Sequence, residues 1–265
     1  MQGAALMDEM AVVKLGGSVI TEKSTPLSFR RDVVLRLAQE LKRSSASSLV
    51  LVHGGGSFGH PVAREHRIKE GLEKPGQIPG FARTVLQMRH LNNRVVEAAS
   101  EGGLPAVGFP GSTMFVTEGG RIASASMDAF LSCLEAKMSP VTCGDAVFDR
   151  ARTFTILSGD QIAVYLSIRL NARMLIFLVD VDGVYTFDHA TRAPVLLPVY
   201  HGSERLVSLG SEGQEDVTGG IVGKLDEALA AAERGVEVYV ANGLVPGRLS
   251  DLLSGRRTPC TEISP

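Results

Sequence analysis

The chain has 265 residues, 44% of them hydrophobic, and a formal net charge of −2. That size and apolar content suit one large α/β domain or two small ones, and the near-neutral charge excludes the broad basic field of a nucleic-acid binder. No apolar run approaches the ~18 residues of a membrane-spanning helix, so no membrane contact is expected.

Met1 to Met10 carries Asp8 and Glu9 and has no basic segment followed by a long apolar one. It reads as a short lead-in to the first strand, not as a signal peptide. Cys133, Cys143 and Cys260 are odd in number and far apart. They fit neither a disulfide framework nor a zinc site, and they point to a reduced, cytoplasmic setting.

Ala11 to Leu15 is a predicted strand, and Gly16-Gly17-Ser18 ends it. Lys14 interrupts the apolar run. A lysine there is an edge-strand charge or, beside a glycine turn, a side chain reaching for phosphate. Lys23 lies in the loop that follows. Arg31 to Arg43 is a helix with Val34, Leu35, Ala38 and Leu41 on one face. Leu49 to Val52 is a buried strand, and His53-Gly54-Gly55-Gly56-Ser57-Phe58-Gly59-His60 leaves it. Pro61 suits the first turn of a helix over Val62 to Arg67. Strand, glycine loop and helix start in that order form a site for a phosphate or another oxyanion.

Gly71 to Gly80 reads as a mobile loop. Phe81 to Ser100 is a long helix with a stripe of Phe81, Val85, Met88, Leu91 and Val95. The stripe is core or, given its place after the glycine loop, the wall of an apolar acceptor tunnel shared with the hairpin around Met114; Phe81 and Met88 are the candidate wall residues. Leu104 to Phe109 is a strand, Met114 to Ile122 a hairpin, Met127 to Lys137 a helix and Ser139 to Cys143 a strand. Ala146-Val147-Phe148 pairs back with Phe154 to Leu157. Ser158-Gly159-Asp160 then opens a helix over Gln161 to Leu170. Asp160 is either its N-cap or a carboxylate that keeps the phosphate-gripping lysines charged and aimed.

Met174 to Val179 is the most apolar run and reads as a central strand buried on both faces. It ends in Asp180-Val181-Asp182-Gly183-Val184-Tyr185, where open α/β sheets bind ligands. Val195 to Val199 is a short strand, Ser203 to Leu209 a helix and Ser211 to Glu215 a polar loop. Asp216-Val217-Thr218-Gly219-Gly220-Ile221-Val222-Gly223-Lys224 is a third glycine-rich turn, before a helix over Leu225 to Arg234. Glu237 to Ala241 is a strand, Leu249 to Leu253 a short helix and Thr261 to Ile263 a last strand. The alternation predicts an open, mainly parallel sheet with helices on both faces. Three glycine turns and two lysines at strand ends exceed what one anion needs. Two phosphorylated ligands facing each other, with phosphoryl transfer between them, account for all of them.

Lys14-Leu15-Gly16-Gly17-Ser18, the His53 to His60 loop, Ser158-Gly159-Asp160, Asp180 to Gly183 and Asp216 to Lys224 occur in the order found in the amino acid kinase superfamily. The resemblance runs from Lys14 to the last strand. It implies an α/β fold, a three-layer αβα sandwich. His60 closing the glycine loop, Lys23 after the first turn and the Gly144 to Asp149 hairpin resemble the isopentenyl phosphate kinases within it. Fosfomycin kinases share much of the pattern, including the histidine, and a non-catalytic nucleotide or oxyanion binder on the same fold is a further reading.

The resemblance implies a single domain over residues 1–265, with an acceptor-phosphate half at about 11–170 and a nucleotide half at about 171–265. It implies ATP and Mg²⁺ as cofactors, isopentenyl phosphate as partner, a homodimer and a role in isoprenoid synthesis by an alternative mevalonate route. Lys14, Lys23 and Lys224 would stabilise the transferring group, and Asp160 would organise them. Gly55, Gly56, His60 and Gly159 would hold the acceptor phosphate. Gly16, Gly17, Ser18, Gly56, Asp180, Asp182, Tyr185 and Gly220 would surround the nucleotide, together with Lys14 and Lys224. No general base is needed. A phosphate monoester with a second pKa near 6 is largely a dianion at neutral pH and already a nucleophile. Gln161, where many relatives carry a second acidic residue, leaves Mg²⁺ to the phosphates and water.

Overall fold

The computed structural model describes residues 10–22, 24–188, 191, 193–204, 206–207 and 220–265, with backbone alone at 207 and 220–224. Lys23, the loop over 211–215 and the turn over 216–219 lie outside the described residues, as does the side chain of Lys224. The elements run β1 (Met10–Leu15), α1 (Gly17–Ile20), α2 (Arg31–Lys42), β2 (Ser48–His53), α3 (Gly56–Glu65), a 3₁₀ turn (Ile68–Glu70), α4 (Gln77–Glu101), β3 (Ala106–Phe109), α5 (Gly111–Met114), β4 (Phe115–Glu118), β5 (Arg121–Ala125) and α6 (Asp128–Glu135). They continue with β6 (Ser139–Cys143), β7 (Asp145–Asp149), β8 (Thr153–Leu157), α7 (Gly159–Arg169), β9 (Met174–Val179), β10 (Tyr185–Phe187), β11 (Pro194–Leu196), β12 (Val199–Tyr200), β13 (Leu206–Val207), α8 (Gly220–Ala232), β14 (Glu237–Asn242), α9 (Arg248–Leu253) and β15 (Thr261–Ile263).

The main sheet has the order β12-β15-β14-β9-β1-β2-β6-β3. From β14 to β3 every neighbouring pair is parallel, and β15 turns antiparallel against β14. Side chains alternate across a strand, and the central strands use both faces. Val12, Val50, Val52, Leu175 and Phe177 pack with residues of α6, α7 and α8. Ala11, Val13, Leu15, Leu49, Leu51, Ile176 and Leu178 pack on the opposite face with residues of α2, α4 and α9. Helix layer, sheet and helix layer form the three-layer sandwich. The same alternation sends Lys14 to the α7 face with Val12, and His53 to the α4 face with Leu51. Among the described residues, no helix is long and apolar enough to cross a membrane.

Two smaller sheets, β5-β4-β7-β8 and β11-β10-β13, flank the main one. The second corrects an expectation. Ser203 to Leu209 reads as a helix in sequence, but Leu206–Val207 is a strand paired antiparallel with Tyr185 and Thr186. The pairing partner lies outside the segment's own pattern. Val195 to Val199 is likewise two short strands, β11 and β12.

Three helices start earlier than their sequence suggests, α8 at Gly220 rather than Leu225 among them. α3 begins at Gly56, inside the glycine run, and Pro61 sits within it. Pro61 has no N–H to give Ser57 O, four residues back; Leu27 N donates to that carbonyl instead, at 3.4 Å. α4 begins at Gln77, so the Gly71 to Gly80 loop is shorter than expected. It is also pinned. The buried Gln77 amide accepts from the N–H groups of Glu73 and Lys74, and donates to the carbonyls of His66, Arg67 and Gly71.

Candidate active site

The glycine loops meet at the C-terminal ends of β1 and β2. Gly54 N donates to Leu15 O at 3.1 Å, and Gly144 N donates to His53 O at 3.0 Å. A Cβ on Gly17 would stand 2.8 Å from Gly56 Cα, and Gly56 itself has φ +46°. Neither position tolerates a side chain. Thr21 fixes the two loops together, its hydroxyl donating to Gly17 O at 2.7 Å and accepting from Ser57 N at 3.0 Å. The first turns of α1, α3 and α7 are thereby gathered at one place, with Gly17, Gly55, Gly56 and Gly159 at their starts. First-turn N–H groups have no partner inside their own helix and favour an anion.

Lys14 stands among them. β1 lies between β9 and β2, so the edge-strand reading of Lys14 is set aside. Its Nζ is 2.7 Å from Asp160 Oδ1, and both side chains are buried. The position of Asp160 also settles its alternative. Ser158 is the N-cap of α7, its Oγ accepting from Gln161 N at 3.1 Å. Asp160 therefore remains available to Lys14, and a lysine is almost never this buried unless paired.

On the β2–β6 side of Lys14 a cavity opens. Gly55, Gly59, His60, Ala63, Thr84 and Met88 form one wall. Gly144, Asp145, Ala146, Ile156, Leu157 and Ser158, from β7, β8 and their flanks, form the other. His60, Thr84, Asp145 and Ser158 are its polar lining residues beside the glycines, and the lining is otherwise mostly apolar. Met88 is on this wall, where a Cβ on Gly55 would stand 3.3 Å from its sulfur. Phe81 is not part of the lining; it packs on Phe154 and Phe148 and against the cluster formed by Ala63, Ile68, Ala146 and Phe154. The Met114 hairpin is not part of the wall; Met114 is buried in the α7-face core, and β7 with β8 takes its place.

Two buried titratable groups at this end escaped the sequence reading. His53 is wholly buried, its Nδ1 3.0 Å from Gly54 O and its Nε2 3.1 Å from the Asn92 amide. Burial lowers its pKa to about 4, with the Lys14 charge adding to the effect. A neutral imidazole donating from Nδ1 and accepting at Nε2 satisfies both contacts. Asp145 accepts from Ser112 N at 3.0 Å and Ala146 N at 2.8 Å, which tie the start of α5 to the cavity wall. Burial raises its pKa to about 7 against those bonds and the Arg89 charge. Both lie inside sequence motifs, but their burial and their contacts with Asn92 and Ser112 come from distant segments.

On the other side of Lys14 lie the ends of β9 and β14. Gly16 N is committed to Leu178 O at 2.8 Å, and Ser18 O accepts from Arg30 Nη1 at 3.3 Å. Asp180 directly follows β9, Tyr185 opens β10 and Gly220 opens α8. Asp182 accepts from Asn242 Nδ2 at 3.0 Å and pairs with Arg248. Asn242, then Arg248, hold its carboxyl below the usual carboxylate range. Among the described residues, no three His, Cys, Asp or Glu side chains come together as a metal site.

The order of strands carries the chemistry. With β14 and β9 on one side, β2 and β6 on the other and the Lys14 strand between, a buried lysine stands between the cavity and the β9–β14 strand ends. Such an arrangement suits transfer of an anionic group from one region to the other.

The sequence model described as "Amino acid kinase family" matches residues 9–242. Isopentenyl phosphate kinase of Methanothermobacter thermautotrophicus is 41% identical over 96% of this chain and 99% of its own length. The Methanocaldococcus jannaschii protein of the same description is 32% identical over 88% and 91%. A solved structure, "X-ray structures of isopentenyl phosphate kinase", superposes with a TM-score of 0.83 at 38% identity, covering 96% of this chain and 100% of that one.

Proposed function

The chain belongs to the amino acid kinase family, and on that premise we propose that it transfers the γ-phosphoryl group of ATP to isopentenyl phosphate, giving isopentenyl diphosphate and ADP. One observation carries the reading beyond the likeness to isopentenyl phosphate kinases. The cavity on the β2–β6 side of Lys14 combines the glycine loop and His60 with a mostly apolar lining that includes Ala63, Met88, Ala146, Ile156 and Leu157. A small phosphate monoester with a hydrocarbon tail has that polarity.

A terminal oxygen of the acceptor dianion attacks the γ-phosphorus, and the β–γ bridging P–O bond breaks toward ADP. Little covalent chemistry is asked of the protein. The obstacle is repulsion between two polyanions, which positioning and positive charge relieve. Lys14 sits between the two ligand regions and gains interaction as charge spreads over the transferring group. Asp160 holds it charged and aimed. The N–H groups of Gly55, Gly56 and Gly159, with His60, take the acceptor phosphate. Gly16, Gly17, Ser18, Asp180, Asp182, Tyr185 and Gly220 belong to the nucleotide side, and Lys23 and Lys224 are assigned to the phosphates by family likeness alone. ATP would arrive as its Mg²⁺ complex, so the ion would enter as part of the substrate and would offset phosphate charge there. The acceptor half covers about 11–170 and the nucleotide half about 171–265. A cytoplasmic homodimer serving isoprenoid synthesis completes the proposal.

The test is stoichiometric. With MgATP and isopentenyl phosphate the protein should release ADP and isopentenyl diphosphate one for one, and little ADP without acceptor. ATP binding with no turnover of any acceptor would instead indicate a binding protein on the same fold.

A further inference from the structure

Asp182, Asn242 and Arg248 come from three segments and converge beyond the ends of β9 and β14. Asn242 is the last residue of β14, paired with Val179 of β9. Its amide oxygen accepts from Leu244 N at 2.9 Å, which fixes the amide so that Nδ2 faces Asp182. Arg248 is the first residue of α9 and is 8% exposed.

The support extends further back. The buried Glu40 of α2 accepts from Gly247 N at 3.1 Å and from Ser250 N at 3.2 Å, clamping the start of α9 from another helix. Arg36 bonds Glu40 at 2.6 Å and Gly243 O at 2.6 Å. Both ends of the segment between Asn242 and Arg248 are therefore held. Burying a guanidinium and a carboxylate for this purpose is costly unless each is paired. A half-exposed ion pair returns little stability for such support.

Both bonds to Asp182 end on Oδ1. The second oxygen belongs to a side chain that is 38% exposed and keeps its capacity to accept. It stands at the C-terminal ends of parallel strands, where open α/β sheets bind ligands, across the Lys14 strand from the apolar cavity. We propose that Arg248 and Asn242 are positioning residues that hold the Asp182 carboxylate to receive an N–H or O–H donor from the nucleoside part of the triphosphate. This rests on the kinase reading above, with the nucleotide on the β9–β14 side. The donor is a ribose hydroxyl or the amino group of the base; both offer the same hydrogen bond.

The experiment measures Kd and steady-state constants for ATP, 2′-deoxy-ATP, 3′-deoxy-ATP, purine riboside triphosphate and inorganic tripolyphosphate, in wild type and in Asp182→Asn, Arg248→Met and Arg248→Lys. Asp182→Asn should raise the ATP Kd about ten- to a hundredfold, the worth of a hydrogen bond to a charged group. Arg248→Met should follow in the same direction and Arg248→Lys should recover part of the loss, with the acceptor KM within twofold throughout. The penalty should vanish for the one analogue that lacks the contacted donor, and for tripolyphosphate. Asp182→Asn, an isosteric change at a half-exposed position, carries the test if Arg248→Met does not fold. Equal penalties for ATP, every analogue and tripolyphosphate would mean a structural role and overturn the proposal, as would unchanged ATP affinity. Wild-type protein that binds no ATP at all would overturn the kinase reading itself.

Discussion

Lys14 Nζ stands 2.7 Å from Asp160 Oδ1 with both side chains buried, one on the central strand and the other on the second residue of the helix that covers it. If the ammonium acts on the transferring group, Lys14→Ala should lower kcat by about 10²–10³, the usual cost of one preorganised electrostatic contact. A kcat within twofold of wild type with only ATP affinity changed would remove the catalytic role.

Asp160→Asn should lower both activity and melting temperature. It leaves a buried ammonium without its counter-charge, and breaking such a pair costs roughly 3–5 kcal/mol. Lys14→Met combined with Asp160→Asn should regain most of the melting temperature and none of the activity. Thermal melts beside turnover assays separate the two effects.

His60 distinguishes a phosphate ligand from a general base. His60→Gln keeps a donor and His60→Ala does not. Gln should retain appreciable activity, while Ala should chiefly raise the acceptor KM, by about ten- to a hundredfold for a lost bond to a charged group. Equal loss of kcat in both, with acceptor binding intact, would identify a base instead.

Chain-length preference should follow the cavity wall. Met88→Ala should admit longer prenyl phosphates, each added buried CH₂ contributing about 0.8 kcal/mol. Phe81→Ala removes a residue outside the lining and should lower stability with little change in preference. Relative kcat/KM across acceptors of increasing length checks both, and a larger shift from Phe81→Ala would redraw the pocket.

His53 and Asp145 give opposite pH dependences of stability. His53 falls from 6.5 to about 4 on folding, so between those values the unfolded chain binds a proton that the folded chain refuses. Its contribution is complete above about pH 6.5 and is lost toward pH 4, by roughly 3 kcal/mol. Asp145 rises from 3.8 to about 7. Its folded form keeps a proton that the unfolded form releases, a cost of about 4 kcal/mol above pH 7 that is relieved toward pH 4. Asp145→Asn should therefore lose melting temperature relative to wild type as pH drops from 7 to 5, and His53→Gln should gain it. Parallel melting curves for all three proteins would contradict the assignment.

The fold and half of the site were legible in the sequence because their signals are local. Apolar runs closed by glycine or by a polar turn gave β1, β2 and β9, and Lys14 stood out as a charge inside such a run. Asp160 was ambiguous until Ser158 proved to be the cap. The start of α3 at Gly56 was hidden because glycines carry little helix signal and Pro61 suggested a later start. His53 meets Asn92, 39 residues on, and Asp182 meets Arg248, 66 residues on. Pairings at that range leave no periodicity to read. β13 was mistaken for a helix for the same reason, its strand character coming from β10.

The most direct test is an acceptor panel under one set of conditions, with kcat/KM for MgATP-dependent turnover of isopentenyl phosphate, dimethylallyl phosphate, longer prenyl phosphates, fosfomycin and UMP. The account predicts the highest value for a five-carbon prenyl phosphate, isopentenyl phosphate foremost, with formation of its diphosphate. No turnover of isopentenyl phosphate, or a higher kcat/KM for fosfomycin or UMP, would contradict it.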